Sequence, residues 1–178
     1  MPKIKSNSAL KSILVLAAIA LCSGLLLGLF RIITYVDPLT STYQKFAEDT
    51  GASFSQMADE EGAAYGDGAV VYYAVSDDGQ WHAFLAEGKG GYGGSVQVYV
   101  YIRGGVLEKL VIGDNGETFL SNLEAAGFYD QFVGKEVSSL DVMGADLVSG
   151  ATKSSTAVRN GVNAAVEYYI EHASGGEA

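Results

Sequence analysis

The chain has little of what most metal, thiol and nucleic-acid sites are built from. Its one cysteine, Cys22, excludes an internal disulfide and any multi-cysteine metal or iron–sulfur site. Two histidines, His82 and His172, leave little for a histidine metal centre. Only 11 Lys and Arg stand against 21 Asp and Glu, a net charge of −10, so the clustered cations that neutralise phosphates are missing and no nucleic-acid partner is expected. Two prolines exclude a Pro-rich linker or a collagen-like repeat, although glycine is abundant at 23 of 178 residues. Charged residues are only 18%, fewer than in an ordinary soluble domain, while 48% apolar residues exclude a disordered chain.

What charge there is divides unevenly. Lys3, Lys5, Lys11 and Arg31 are the only ionisable side chains of either sign, Cys22 aside, through residue 31, whereas all 21 acids follow it. Between them, Ser12 to Phe30 gives 19 residues without a charge. At about 1.5 Å per residue such a helix crosses most of a ~30 Å hydrocarbon core, and Ile32, Ile33 and Tyr35 extend it. A cleaved signal peptide would have a shorter apolar core followed by a small-x-small site, where Arg31-Ile32-Ile33 stands instead. A lipoprotein signal at Cys22 would need a small residue at Leu21. The expectation is therefore an uncleaved, single-pass helix, its N-terminus held in the cytoplasm by the lysines and the acidic body outside. Gly24 and Gly28, one turn apart, would let another membrane helix approach closely.

The body reads as α+β, an antiparallel sheet with helices packed on it. The expected organisation is a cytoplasmic N-terminus and membrane helix over 1–35, a juxtamembrane helix and loop over 36–68, a folded domain over 69–173 and a frayed tail over 174–178. Tyr43, Phe46, Ala47 and Thr50 recur at helical spacing. Asp59-Glu60-Glu61 reads as a solvated charge run. Ala69–Val75, the turn Asp77-Asp78-Gly79 and Trp81–Ala86 form a hairpin pattern. Ser95–Arg103 alternates, with Val96, Val98, Val100 and Ile102 on one face, then returns through Gly104-Gly105 as Val106–Ile112. Asp114-Asn115-Gly116 closes that strand, and residues 119–133 read as short helix and loop. Thr156–Glu171 reads as a helix with Val158, Val162, Ala165, Val166, Tyr169 and Ile170 along one stripe, capped by Ser154 or Ser155.

Two segments are candidates for chemistry. Gly90-Gly91-Tyr92-Gly93-Gly94 lets backbone approach a ligand or turn sharply, but it precedes a strand, so it lacks the strand–turn–helix setting of a dinucleotide loop. His82 within a strand and His172 at a helix end read as a half-buried side chain and a solvated cation. Asp146-Leu147-Val148-Ser149-Gly150-Ala151-Thr152, followed by Lys153-Ser154-Ser155, sets small residues and hydroxyls ahead of a helix N-terminus, where free N–H groups favour a phosphate. A capped turn of small residues fits the same segment.

The pattern Asp-x-x-Ser/Thr-Gly-Ala-Thr at 146–152 resembles the flavinylation motif of the FMN-binding domain family, and all five specified positions match. Gly91-Tyr92-Gly93-Gly94, Glu117-Thr118 and Phe128-Tyr129-Asp130-Gln131-Phe132-Val133-Gly134-Lys135 resemble further segments of that family. Within it, the layout with an N-terminal span is most similar to the G-type subunits of Rnf ion-translocating ferredoxin:NAD oxidoreductases. The C-type subunits of Na⁺-pumping NADH:quinone reductases share that layout and are usually longer. The resemblance implies FMN joined by its phosphate to Thr152 by a flavin transferase. Asp146 would serve recognition, and Ser149, Gly150, Ala151, Ser154, Ser155, Glu117 and Thr118 would surround the cofactor. It implies an electron carrier without turnover of its own, held among other membrane subunits. A stand-alone extracytoplasmic flavoprotein and an unflavinylated scaffold subunit stay open beside it. The chain departs from the family after Thr118, where Phe119-Leu120-Ser121-Asn122-Leu123 replaces Pro-Gly-x-Gly.

Overall fold

A computed structural model describes residues 6–35, 38–55 and 62–173. The N-terminal lysines Lys3 and Lys5, the run Asp59-Glu60-Glu61 and the tail 174–178 lie outside the described residues. The chain divides into two compact units, Met1–Pro38 and Leu39–Ala178.

The first unit is one helix, α1, Ser6–Thr34, of 29 residues. Every described side chain from Leu10 to Tyr35 is exposed, Cys22 included. Helix α1 is long and apolar enough to cross a membrane. No Cβ added at Gly24 or Gly28 would meet another atom within 4 Å.

The second unit is an antiparallel meander of six strands in sequence order: β1 Ala64–Tyr65, β2 Gly68–Val75, β3 Trp81–Gly88, β4 Val96–Arg103, β5 Val106–Asn115 and β6 Lys135–Glu136. Both hairpins read from the sequence are present, and Gly104 and Gly105, at φ +56° and +77°, make the two-residue turn between β4 and β5. Short helix α3, Leu120–Ala125, and a 3₁₀ turn at Phe128–Gln131 lead from β5 to β6.

One face of the sheet is covered by helix α4, Thr152–Tyr168, which continues as a π-helical turn through Ala173. Val98, Val100 and Ile102 of β4 and Phe84 and Ala86 of β3 bury against Val158, Val162 and Ala165, all 0% exposed. The predicted stripe is correct except for Ile170, which faces solvent. The helix begins four residues earlier than its pattern indicates. Its N-cap is Ala151, with no side-chain cap, and Ser154 and Ser155 are buried in the first turn rather than capping it. Their hydroxyls bond within the fold, which satisfies the polarity that made them read as a boundary.

The opposite face is buried as well. Helix α2, Pro38–Thr50, lays Tyr43 and Phe46 over Ala74, Ala83, Leu85 and Tyr101. A bulge between Val70 and Tyr72 puts Val71 and Tyr72 together on this side and returns Tyr73 to the other, so β2 is apolar along its length instead of alternating. The predicted helix thus belongs to a second, smaller core of the folded unit.

Asp49 ties α2 to the sheet. Its carboxylate accepts the Tyr101 hydroxyl at 2.6 Å and pairs with Lys45 at 2.8 Å and Lys109 at 2.9 Å. Burial by itself would raise the Asp49 carboxyl, but the bonds from Lys45, Tyr101 and Lys109 outweigh it and hold the group below its ordinary 3.8. A carboxyl lowered on folding contributes stability above its unfolded value, and that contribution is lost as pH falls through the folded value. Asp49→Ala strands the buried Tyr101 hydroxyl and is expected to lower stability at neutral pH by about 1–3 kcal/mol. Urea unfolding of both proteins in detergent should show the gap narrowing as the pH is taken well below 3.8. A gap independent of pH would remove the carboxylate from the account.

Candidate functional site

Three segments distant in sequence meet at one end of the sheet: the glycine-rich loop after β3, residues 116–119 after β5, and the start of α4. They meet because the meander places the β3–β4 connection and the end of β5 side by side, and α4 starts above them. Glu117 joins them. One carboxylate oxygen accepts the Gly93 N–H at 2.6 Å and the other accepts the Ser154 hydroxyl in a short hydrogen bond. Its own N–H donates to Asn115 Oδ1 at 3.0 Å, which fixes the turn that presents it. The glycines follow from this closeness: a Cβ at Gly91 would overlap the Glu117 carboxylate and the Gly94 carbonyl oxygen.

Thr152 is the first residue of α4 and its side chain is exposed. The hydroxyl makes one long bond, to the Val148 carbonyl at 3.4 Å. The N–H groups of Thr152, Lys153 and Ser154 belong to the first turn and have no carbonyl one turn back to donate to. Exposed Ser149 and Gly150, the latter at φ +80°, turn the chain into the helix, and Ala151 is buried beneath it. Ser155 closes the turn from within, accepting the Val148 N–H at 3.3 Å and donating to the Ala151 carbonyl at 3.0 Å. Its hydroxyl therefore faces the fold, and that of Ser154 faces Glu117.

Asp146 is exposed, and its backbone is held by Gln131: its N–H donates to Gln131 Oε1 at 2.8 Å and its carbonyl accepts from Nε2 at 3.1 Å. Gln131, in the segment Phe128–Lys135, thereby sets where the 146–152 loop begins. Thr118 is exposed beside Glu117. The rim also carries aromatic surface. Tyr92 is 71% and Phe119 39% exposed, their rings edge to face with centroids 6.5 Å apart, and Lys153 Nζ lies 5.9 Å from the Tyr92 ring centroid.

The histidines lie elsewhere. His82 is half-buried and its Nδ1 shares a 2.8 Å hydrogen bond with the Tyr73 hydroxyl. Burial first, and Tyr168 and Tyr169 second, push the Tyr73 phenol well above its ordinary value, so it stays protonated. His172 stacks on Tyr168 at 4.4 Å. A cavity of about 450 Å³ beside His82, lined by Gly79, Gly104, Glu136 and Tyr169, contains none of the motif residues.

These residues suit a phosphorylated flavin. An exposed hydroxyl and first-turn N–H groups at a helix start match a phosphate, a lysine adjoins them, and the exposed Tyr92 ring stands within reach of that lysine. Residues 91–167 match the family model described as FMN-binding domain, a span that runs from the glycine-rich loop through nearly all of α4 and covers less than half of the chain. The match supports an FMN-binding domain. No curated protein and no solved structure matches the chain.

Sequence reasoning singled out Thr152 and its loop as a candidate but gave Glu117 only an expected place near a cofactor. The partners of Glu117 stand 24 and 37 residues away, and no local pattern signals them.

Proposed function

We propose that this protein is a membrane-anchored electron carrier that holds FMN covalently on Thr152, as a G-type subunit of an Rnf-type ion-translocating ferredoxin:NAD oxidoreductase. The exposed Thr152 hydroxyl, at the first position of α4 and at the end of a five-position motif match, carries this reading. In the attachment, the Thr152 oxygen forms an ester bond to the phosphorus of the FMN half of FAD. The pyrophosphate bond breaks, AMP leaves, and the hydroxyl proton passes to a base of the flavin transferase. Nothing is oxidised or reduced in that step. FMN, once held, supplies the redox chemistry; the chain's part is to fix its place and its electrostatic surroundings.

Each residue then has a task. The first-turn N–H groups and Lys153 lie where they offset the phosphate charge. Gln131 sets the start of the acceptor loop, and Glu117 keeps the glycine-rich loop against α4. Helix α1 would hold the domain at the membrane, with the domain outside the cytoplasm, and Gly24 and Gly28 would pack against a helix of another subunit. A covalent tether suits that location, because a flavin lost there could not be replaced from the cytosol.

The test is intact mass of the full chain co-expressed with a flavin transferase, followed by peptide mapping. The expected gain is one FMN less one water, located on Thr152. An unmodified chain beside a modified control substrate would favour the scaffold reading. Flavinylated protein that purifies without multi-span subunits would favour a stand-alone flavoprotein.

A further inference from the structure

We propose that the Tyr92 ring is the face against which the isoalloxazine of the Thr152 ester stacks, with Phe119 buttressing it and Glu117 as its positioning residue. This rests on the covalent-FMN reading above. An exposed tyrosine on a loop is ordinary in itself. Tyr92 differs because its loop is tied down from two sides. The next residue, Gly93, donates its N–H to Glu117 at 2.6 Å, and the same carboxylate holds Ser154, two residues beyond the acceptor. Phe119, two residues after Glu117, meets Tyr92 edge to face at an interplanar angle of 81°. The clamp and the buttress together hold a ring that is 71% exposed. Lys153 gives the register: its ammonium is 5.9 Å from the Tyr92 centroid, and it is covalently next to Thr152.

A flavin esterified through its phosphate hangs on a flexible ribityl chain, so its ring needs a nearby apolar face to have a fixed position. A rigid tyrosine offers that face at little cost in conformational entropy, and aromatic stacking contributes beyond the area buried.

The experiment compares the full chain with Tyr92→Phe and Tyr92→Leu, all co-expressed with a flavin transferase. Intact mass first counts FMN per chain. Flavin fluorescence per FMN and the midpoint potential are then measured. A phenol stacked on a flavin quenches its fluorescence by electron donation, which a phenyl ring does not do. Both variants should therefore fluoresce several-fold more strongly than the parent. Only Tyr92→Leu, which removes the ring, should shift the potential. Equal fluorescence in three fully loaded proteins overturns the proposal, as does a Tyr92→Leu potential equal to that of the parent. Loss of FMN from the variants alone assigns Tyr92 to attachment and also overturns it. A parent chain without FMN instead removes the covalent reading, and this proposal falls with it.

Discussion

Thr152→Ala is expected to abolish covalent flavin completely while leaving the fold in place. The substitution removes the proposed acceptor oxygen, and the neighbouring hydroxyls are poor replacements. Ser154 and Ser155 are 1% and 0% exposed and are bonded to Glu117 and to the Ala151 carbonyl. Ser149 is exposed, so peptide mapping of the variant should examine it directly. The fold should tolerate the change. The Thr152 hydroxyl makes only a 3.4 Å bond to Val148, near the limit for a hydrogen bond, and alanine favours helix. A change within about 0.5 kcal/mol is expected, as for most exposed positions. Denaturing gels read for flavin fluorescence check the first part, and urea unfolding in detergent checks the second. Flavin that survives denaturation on the variant would move the acceptor elsewhere.

Gly88→Ala is expected to have the largest effect on stability. Gly88 ends β3 where α4 crosses it, and a Cβ there would overlap the Ala157 carbonyl oxygen and come within 2.5 Å of the Gly161 nitrogen. Both are backbone atoms of α4, so no rotamer change relieves the clash. The helix has to lift from β2 and β3, taking Val158, Val162 and Ala165 out of contact with the sheet. Overpacking of a core costs about 1–3 kcal/mol where side chains can shift, so about 3 kcal/mol or more is expected where only backbone can move. Urea midpoints of the full chain in detergent measure it. A midpoint equal to the parent's would mean that α4 does not sit on Gly88. Because α4 also presents Thr152, partial unfolding should lower flavinylation in step with stability, unlike the clean loss at Thr152→Ala.

Much of the fold is legible in the chain because its signals are local. The alternation of Val96, Val98, Val100 and Ile102, the Gly104-Gly105 turn and the stripe from Val158 to Tyr169 each lie within one element. The loop that leads into α4 is legible for the same reason, since the motif from Asp146 to Thr152 is contiguous. Elsewhere a tertiary contact overrides a local signal or decides what no local signal carries. Ser154 and Ser155 look like a cap, yet burial with internal hydrogen bonds carries α4 past them to Thr152. Tyr101 falls on the face opposite the valines, yet α2 covers it and Asp49, 52 residues away, satisfies its hydroxyl. β2 does not alternate because a bulge and two covered faces remove the need.

By itself, then, the sequence determined the uncharged helix, the hairpins, the long amphipathic helix and the small-residue loop that ends at Thr152, because periodicity, turn residues and contiguous motifs depend on near neighbours along the chain. Only the tertiary structure decided that the sheet is buried on both faces and that Glu117 binds the glycine-rich loop to α4. It likewise decided that Tyr92 stands beside Lys153. These are contacts between residues tens of positions apart, and they come into being when the meander and α4 bring chain segments together.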